Sequence, residues 1–184
     1  TKANRIVRAS QGRAVMEFGS RRAQGFDGAV YGARAAYIGG CAGTACTLAD
    51  REFGIPAMGT MAHSWVQLFG NELDAFKAYA AAYPHACTLL VDTYNTLKSG
   101  VPNAIRAFDE VLKPLGARPA AIRIDSGDIT YLSKHARRML DDAGYADCKI
   151  TASNSLDEFL IRDMILQGAC VDNFGVGERM ITAA

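Results

Sequence analysis

The chain has 184 residues, of which 49% are hydrophobic, and it can therefore bury one sizeable core. Its 20 basic residues nearly balance its 19 acidic residues, so the composition predicts no extended charged surface for nucleic acid or for a membrane. No apolar run reaches the roughly 20 residues that a membrane-spanning helix needs.

The sequence pattern of the first 83 residues predicts mainly helices. Apolar residues recur with helical spacing over 27–38 and 42–51, and glycine-containing breaks follow both stretches. Asn71 can cap a further helix over 72–83, because acidic residues occupy its first turn and a proline follows its end.

The rest of the chain alternates four apolar strands with polar or glycine-rich turns. The strands are predicted near 88–92, 120–125, 148–153 and 171–175. Parallel strands need helical crossovers, so this order predicts an α/β fold with a parallel sheet. Ligands of such sheets lie at the carboxyl ends of the strands, and the four turns are expected to face one ligand. Their carboxylates, amides and hydroxyls suit a phosphorylated sugar and a magnesium ion.

Three helices are predicted between these strands. They span 102–115, 129–143 and 156–167. The first has an apolar face that includes Leu115. The last is predicted to begin with a capping box formed by Ser155 and Glu158.

Arg123 and Asp125 are the most informative pair in the predicted strands. They alternate with isoleucines and so project from one face of a strand, where unpaired charge is costly. Two interpretations are open. The residues form a structural ion pair, or the arginine binds a substrate while the carboxylate binds a metal ion or ribose hydroxyls.

Further candidate residues lie in turns. Gly175 and Gly177 follow the last strand and expose backbone amides, as phosphate-binding loops do, although ordinary turns also use such pairs. Asn154 adds an amide group after the preceding strand. His63 lies between small residues and an aromatic residue, which suits either contact with a ligand or a packed imidazole.

Phe18 and Arg21 occupy a glycine-flanked segment near the start of the chain. An aromatic ring beside a guanidinium suits a planar anionic ligand. The ring stacks on the ligand, and the guanidinium binds its carboxylate through two parallel hydrogen bonds.

The chain is expected to be a fragment of a longer protein, forming one partial α/β-barrel domain over 1–184. It begins with Thr1 rather than Met, has no signal-peptide pattern, and ends soon after Gly177. Its five cysteines lack the spacing of a zinc site and favour free thiols in a reducing cytoplasm.

Five segments resemble, in order, the nicotinate phosphoribosyltransferase family. They are Glu17–Gly25, Gly59–Ser64, Val91–Thr96, Arg123–Asp128 and Phe174–Gly177. The resemblance implies part of an irregular α/β barrel of the type II phosphoribosyltransferase kind. It also implies a ligase-type glycosyl transfer from phosphoribosyl pyrophosphate to nicotinate, coupled to ATP hydrolysis and dependent on magnesium. The product would be nicotinate mononucleotide in NAD salvage, made by a cytoplasmic homodimer of the longer enzyme.

The same resemblance implies roles at the pyridine and ATP sites. Arg21 would bind the nicotinate carboxylate, and Phe18 would stack on the ring. Thr60 would donate a hydrogen bond in this region. His63 would accept phosphate from ATP.

The remaining implied roles concern the ribosyl donor. Arg123 would lie beside nicotinate and the donor. Asp125 and Asp92 would meet ribose hydroxyls, and Asp125 would also meet magnesium. The 5′-phosphate would be held by Asn154, Gly175 and Gly177.

Two alternatives are open. Nicotinamide phosphoribosyltransferase shares this chemistry, but that enzyme carries an aspartate where this chain has Ala45, and the aspartate would repel nicotinate. A non-catalytic phosphosugar-binding barrel would also use Arg123, Asp125 and the glycine loop. Such a barrel has no need of a phosphate-accepting His63.

Overall fold

A computed structural model describes residues 1–183, and the chain divides into two compact units. The first unit comprises Thr1–Gly59, Ala152–Gly168 and the segment from Asp172 onwards. The second unit comprises Thr60–Thr151 and Ala169–Val171. The expected single domain over 1–184 stays a prediction.

Residues 1–183 contain nine α-helices and six β-strands. The helices are α1 (Lys2–Ala9), α2 (Gly25–Ile38), α3 (Thr47–Phe53), α4 (His63–Gln67), α5 (Glu72–Ala82), α6 (Val101–Ala107), α7 (Ile129–Asp142), α8 (Glu158–Leu166) and α9 (Glu178–Ile181). The strands are β1 (Ala14–Glu17), β2 (Gly43–Thr44), β3 (Thr88–Leu90), β4 (Ala121–Ile124), β5 (Lys149–Ala152) and β6 (Asn173–Val176). No helix within this range combines the length and the apolar character needed to cross a bilayer.

The first unit contains parallel strands in the order β2-β1-β6. Val15 of the central strand lies opposite Phe174 of β6, and both side chains are buried. Helices α2 and α3 contribute to an apolar cluster formed by Val30, Ala33, Cys46, Ala49 and Ile55. Of these three strands, only β6 is predictable from the sequence, because β1 and β2 are too short to show an alternation of apolar and polar residues.

The second unit contains a parallel pair, β3 and β4, with β5 on the other side of β4. Leu89 lies opposite Ile122, and Leu90 lies opposite Arg123. Leu89, Leu90 and Ile122 are fully buried, so this sheet forms the core of the unit. The strands β3 to β6 confirm the four strands predicted from the sequence.

Four of the six predicted helices are also confirmed, namely those matched by α2, α5, α7 and α8. Asn71 caps α5 as predicted, since its side-chain oxygen accepts a hydrogen bond from the Asp74 amide at 2.9 Å. The helix predicted over 42–51 is wrong in its first half. Gly43–Thr44 form β2, because pairing with β1 overrides the local helical pattern, and α3 begins only at Thr47.

The capping box predicted at Ser155 is wrong. Helix α8 begins at Glu158, and Oδ1 of Asp157 accepts hydrogen bonds from the amides of Phe159 and Leu160 at 3.0 and 2.8 Å. Ser and Asp are both strong caps, so the sequence pattern could not choose between them.

The helix predicted over 102–115 starts earlier and changes its hydrogen-bonding pattern. A π-helical turn, Thr96–Gly100, precedes α6, and a second one, Phe108–Leu112, follows it. A 3-10 turn, Lys113–Leu115, ends the run. Each change of pitch rotates the side chains that follow, so Leu115 is 60% exposed rather than part of the apolar face.

Candidate active site

His63 pairs with Asp92 in the second unit. Nε2 of His63, at the start of α4, lies 3.2 Å from Oδ1 of Asp92, in the turn after β3. The Asp92 side chain is 1% exposed and the imidazole is 39% exposed. A carboxylate can only accept a hydrogen bond, so this contact assigns the hydrogen to Nε2 of His63. This contact therefore fixes the orientation of a partly exposed imidazole.

Asp92 is itself held by the turn after β4. Its Oδ2 accepts hydrogen bonds from the Asp125 amide at 2.9 Å and from the Ser126 hydroxyl at 2.5 Å. These contacts follow from the sheet, because Leu90 lies opposite Arg123 and the two strands end at the same edge. Both oxygens of Asp92, predicted to meet ribose hydroxyls, thus have protein partners here.

Arg123 connects the end of β4 with the loop before His63. Its Nη1 donates to the Thr60 hydroxyl at 2.9 Å, and its Nη2 donates to Oδ1 of Asp125 at 3.0 Å. The structural ion pair considered from the sequence is therefore present. The side chains of Arg123 and Asp125 are 16% and 23% exposed, so both retain access to a ligand. Thr60, whose predicted role in nicotinate binding stays a prediction, thus accepts a hydrogen bond from Arg123.

Phe18 lies against two glycines in the first unit. A Cβ added at Gly175 would lie 2.6 Å from the Phe18 ring, and one added at Gly177 would lie 3.1 Å from the Phe18 carbonyl oxygen. The Phe18 amide donates to the Val176 carbonyl at 2.8 Å, which extends the pairing of β1 with β6. The glycines predicted to hold phosphate are thus also required by the close approach of Phe18.

Arg21 lies in a 3-10 turn, Ser20–Arg22, shortly after Phe18. The Arg22 amide closes this turn by donating to the Gly19 carbonyl at 2.8 Å. Arg21 is exposed and has no hydrogen-bond or ion-pair partner within the described part of the chain. Its guanidinium is therefore available to an anionic ligand.

Asn154 occupies a strained turn after β5. Its φ is 105° and that of Ser155 is 49°, in the left-handed region that residues other than glycine rarely adopt. Asn154 is exposed. The neighbouring Ser153 lies beside Gly175, since a Cβ at that glycine would be 3.4 Å from the Ser153 Cβ. The first unit therefore brings together the two turns predicted to hold phosphate.

Glu17, a fully buried residue at the end of β1, is absent from the predicted site residues. Its Oε1 accepts a hydrogen bond from the Gly19 amide, and its Oε2 accepts one from the Thr44 hydroxyl at 2.5 Å. Burial raises the pKa of Glu17, and these two hydrogen bonds oppose the rise. Burial and the nearby Glu17 raise the pKa of the Cys41 thiol to about 12. A glutamate closing an apolar strand is the sequence signal that could have identified this residue.

The chain offers few protein ligands for a metal ion. In residues 1–183, no group of three His, Cys, Asp or Glu side chains is arranged to hold one. Magnesium, however, is usually held by one or two carboxylates together with substrate phosphates. The carboxylate of Asp125 is partly exposed, so it fits a magnesium ion whose other ligands are water and the oxygens of a bound pyrophosphate.

Comparison with known proteins decides the family. The model of the nicotinate phosphoribosyltransferase (NAPRTase) family matches residues 13–180. The chain belongs to this family. Nicotinate phosphoribosyltransferase of Bacillus subtilis is 50% identical over the whole chain, which spans 37% of that protein. Nicotinate phosphoribosyltransferase of Dictyostelium discoideum is 37% identical over 91% of the chain, which corresponds to 36% of that protein.

Two solved structures resemble this member of the nicotinate phosphoribosyltransferase family over nearly its whole length. The human nicotinic acid phosphoribosyltransferase gives a TM-score of 0.86 at 28% identity and covers 96% of this chain and 46% of that one. The nicotinate-nucleotide pyrophosphorylase from Pyrococcus furiosus gives 0.83 at 30% identity and covers 100% of this chain and 46% of that one. These likenesses confirm the predicted fold class, part of an irregular α/β barrel of the type II phosphoribosyltransferase kind. The chain spans less than half the length of these relatives.

Proposed function

We propose that the protein containing this chain transfers a phosphoribosyl group from phosphoribosyl pyrophosphate to the ring nitrogen of nicotinate. The products are nicotinate mononucleotide, which enters NAD salvage, and pyrophosphate. We also propose that ATP hydrolysis drives the transfer. Family membership supports the transfer. The hydrogen bond between His63 and Asp92 is the observation that supports coupling of the transfer to ATP hydrolysis. A protein that only bound a phosphosugar would not need an oriented, partly exposed imidazole.

In the proposed coupling step, Nδ1 of His63 attacks the terminal phosphorus of ATP. A nitrogen–phosphorus bond forms, the bond to the bridging oxygen breaks, and ADP leaves with the electron pair. Asp92 holds the hydrogen on Nε2 and stabilises the positive charge that develops on the ring, as buried carboxylates do for catalytic histidines. Water then hydrolyses the phosphohistidine and completes the hydrolysis of ATP.

In the proposed transfer step, the pyridine nitrogen attacks C1 of the ribose while the bond from C1 to the pyrophosphate oxygen breaks. The ribose gains positive charge and the leaving group gains negative charge. Asp125 stabilises the ribosyl cation or binds its hydroxyls, and Arg123 binds the anionic donor. Magnesium, when bound with the donor, neutralises charge on the pyrophosphate.

The pyridine and phosphate sites use residues of the first unit. The Phe18 ring stacks on nicotinate, and the exposed Arg21 binds its carboxylate. Ala45 leaves out the carboxylate with which the nicotinamide enzyme would bind an amide, and this supports the acid as substrate. Backbone amides of the glycine loop hold the 5′-phosphate together with the neighbouring turn at Asn154.

The full-length enzyme is proposed to act as a homodimer in the cytoplasm, as the family resemblance implies. The five cysteines are free thiols, and four of them are buried. Free thiols are compatible with a reducing compartment.

The test is an assay of a full-length enzyme that contains this chain. Nicotinate and phosphoribosyl pyrophosphate are supplied with and without ATP, and nicotinate mononucleotide and ADP are quantified in the same samples. We expect mononucleotide in both conditions, faster formation with ATP, and ADP release that accompanies turnover. Absence of mononucleotide in every condition contradicts the transfer, whereas a rate that ATP does not change contradicts only the coupling.

A further inference from the structure

Glu17 ties together two turns of the first unit. Its Oε1 accepts a hydrogen bond from the Gly19 amide, and its Oε2 accepts one from the Thr44 hydroxyl. Its backbone carbonyl accepts a third from the Ala45 amide at 2.8 Å. The Thr44 hydroxyl in turn accepts from the Cys46 amide at 2.9 Å. One buried residue therefore holds the turn after β1 and the turn after β2.

The first of these turns carries Arg21. It begins at Gly19, whose carbonyl closes the 3-10 turn and whose amide binds Glu17. A Cβ added at Gly19 would lie 2.8 Å from Oε1 of Glu17 and 2.6 Å from the Ile181 Cβ. The backbone at Gly19 is thus enclosed on two sides, and the carboxyl group fixes where the Arg21 turn starts.

The second turn carries Ala45. Thr44, the residue before Ala45, is fixed by two further backbone hydrogen bonds. Its amide donates to the Pro56 carbonyl at 3.0 Å, and its carbonyl accepts from the Met58 amide at 2.8 Å. Ala45 itself is exposed. The Glu17–Thr44 hydrogen bond is therefore the side-chain contact that joins this turn to the Arg21 turn.

We infer that Glu17 and Thr44 are positioning residues that set the substrate preference of the pyridine site, by fixing the spacing between the Arg21 turn and the Ala45 turn. The inference rests on the proposed function, in which these two turns distinguish a carboxylate from a carboxamide. A guanidinium binds a carboxylate through two hydrogen bonds only when its position is well defined, whereas a looser turn loses that advantage. The neutral substrate depends less on this geometry.

Thr44 allows a matched pair of variants. Thr44→Val keeps the shape of the side chain and suits a strand, but it removes the hydroxyl. Thr44→Ser keeps the hydroxyl. Glu17→Gln is a second test variant, because a side-chain amide has one acceptor oxygen where the carboxylate has two. Glu72→Gln is the control, since Glu72 is also buried but bonds to Asn103 on α6.

The experiment measures kcat and KM for nicotinate and for nicotinamide in the full-length enzyme that contains this chain. We expect Thr44→Val and Glu17→Gln to lower the ratio of kcat/KM for nicotinate to that for nicotinamide about tenfold, the scale of one charge-assisted hydrogen bond. The change should come from KM for nicotinate, while kcat stays close to wild type. Thr44→Ser and Glu72→Gln should keep the wild-type ratio.

The inference is overturned if wild type prefers nicotinate and either Thr44→Val or Glu17→Gln folds with that preference intact. It is also overturned if Thr44→Ser loses the preference to the same extent as Thr44→Val, because then the hydroxyl is not responsible. Should Glu17→Gln fail to fold, the two Thr44 variants decide alone. A wild-type enzyme that does not convert nicotinate contradicts the proposed function instead, which separates the two failures.

Discussion

Asp92 holds the imidazole of His63 through one carboxyl oxygen while its other oxygen is bound by the turn after β4. The two residues are 29 positions apart, and the parallel pairing of β3 with β4 supplies the partners that fix the carboxylate. The imidazole orientation is therefore built into the sheet.

The first prediction concerns this imidazole. His63→Ala should abolish the ATP hydrolysis that accompanies turnover and leave a slower, ATP-independent transfer, because the variant lacks the nitrogen that accepts the phosphate in the proposed step. The measurement is ADP formed per nicotinate mononucleotide. His135→Ala on α7 is the control and should behave as wild type. Undiminished stimulation by ATP in His63→Ala would remove His63 from the proposed role.

The second prediction separates catalysis from structure at Asp125. Asp125→Asn should lower kcat by more than tenfold, which corresponds to about 1.4 kcal/mol, and should weaken nicotinate binding far less. Asp147→Asn, which breaks the exposed ion pair with Arg118, is the matched control and should leave kcat unchanged. A variant of Asp125 whose only defect is a lower melting temperature supports the structural ion pair instead.

The third prediction concerns substrate choice. Arg21→Ala should reduce the preference for nicotinate by roughly 10- to 150-fold, the range for loss of one charge-assisted pairing. Ala45→Asp should shift the preference towards nicotinamide. Arg22→Ala, which removes the neighbouring guanidinium 3.9 Å from Glu178, should leave the preference intact. Equal use of both substrates by wild type would make the nicotinamide enzyme the better description.

The fourth prediction tests the contact between Phe18 and Gly175. A methyl group at position 175 would lie 2.6 Å from the ring, so Gly175→Ala must displace Phe18 or the backbone. We expect a loss of about 1–3 kcal/mol in the free energy of unfolding, together with a higher KM for nicotinate. Gly70→Ala is the control, because a Cβ there would meet nothing within 4 Å. Urea unfolding and steady-state kinetics on both variants provide the comparison.

The fifth prediction concerns pH. Burial raises the pKa of Glu17, so the folded protein binds this proton more tightly than the unfolded chain does. Between the ordinary pKa of a glutamic acid and the raised value, the folded state binds more protons, and stability must fall as pH rises. Glu17→Gln should lack this dependence. The free energy of unfolding of wild type relative to the variant should therefore decrease with pH in that interval, and a constant difference would contradict the raised pKa.

The sequence predicts the parts of the fold that rest on local patterns. The strands β3 to β6 and the helix cap at Asn71 follow from apolar runs and turn residues read in order. The short strands β1 and β2 do not, since they exist only through pairing with each other and with β6. The exposure of Leu115 likewise depends on two π-helical turns that change the helical pitch.

For the candidate site, too, the sequence predicts individual residues but not the contacts between them. The strand pattern predicted Arg123 and Asp125 as candidates, and the small and aromatic neighbours of His63 predicted a possible ligand contact there. Their partners were not predictable, because the contact of Thr60 with Arg123 joins residues 63 positions apart. Glu17 was not predictable for a further reason, because a pattern of strands and turns indicates polar groups in exposed turns and gives no sign of a buried carboxyl group.

Arg123 also has a thermodynamic consequence for the two ligands of the second unit. Its Nη1 holds Thr60, three residues before His63. An anion that displaces the Thr60 hydroxyl from this nitrogen frees the loop before His63 from that hydrogen bond. If a ligand at His63 binds more tightly when the loop is released, that ligand raises the affinity for the anion. By linkage, the anion raises the affinity for that ligand by the same factor. Under the proposed function, Arg123 would therefore couple the binding of the ribosyl donor to the binding of the phosphate donor at His63.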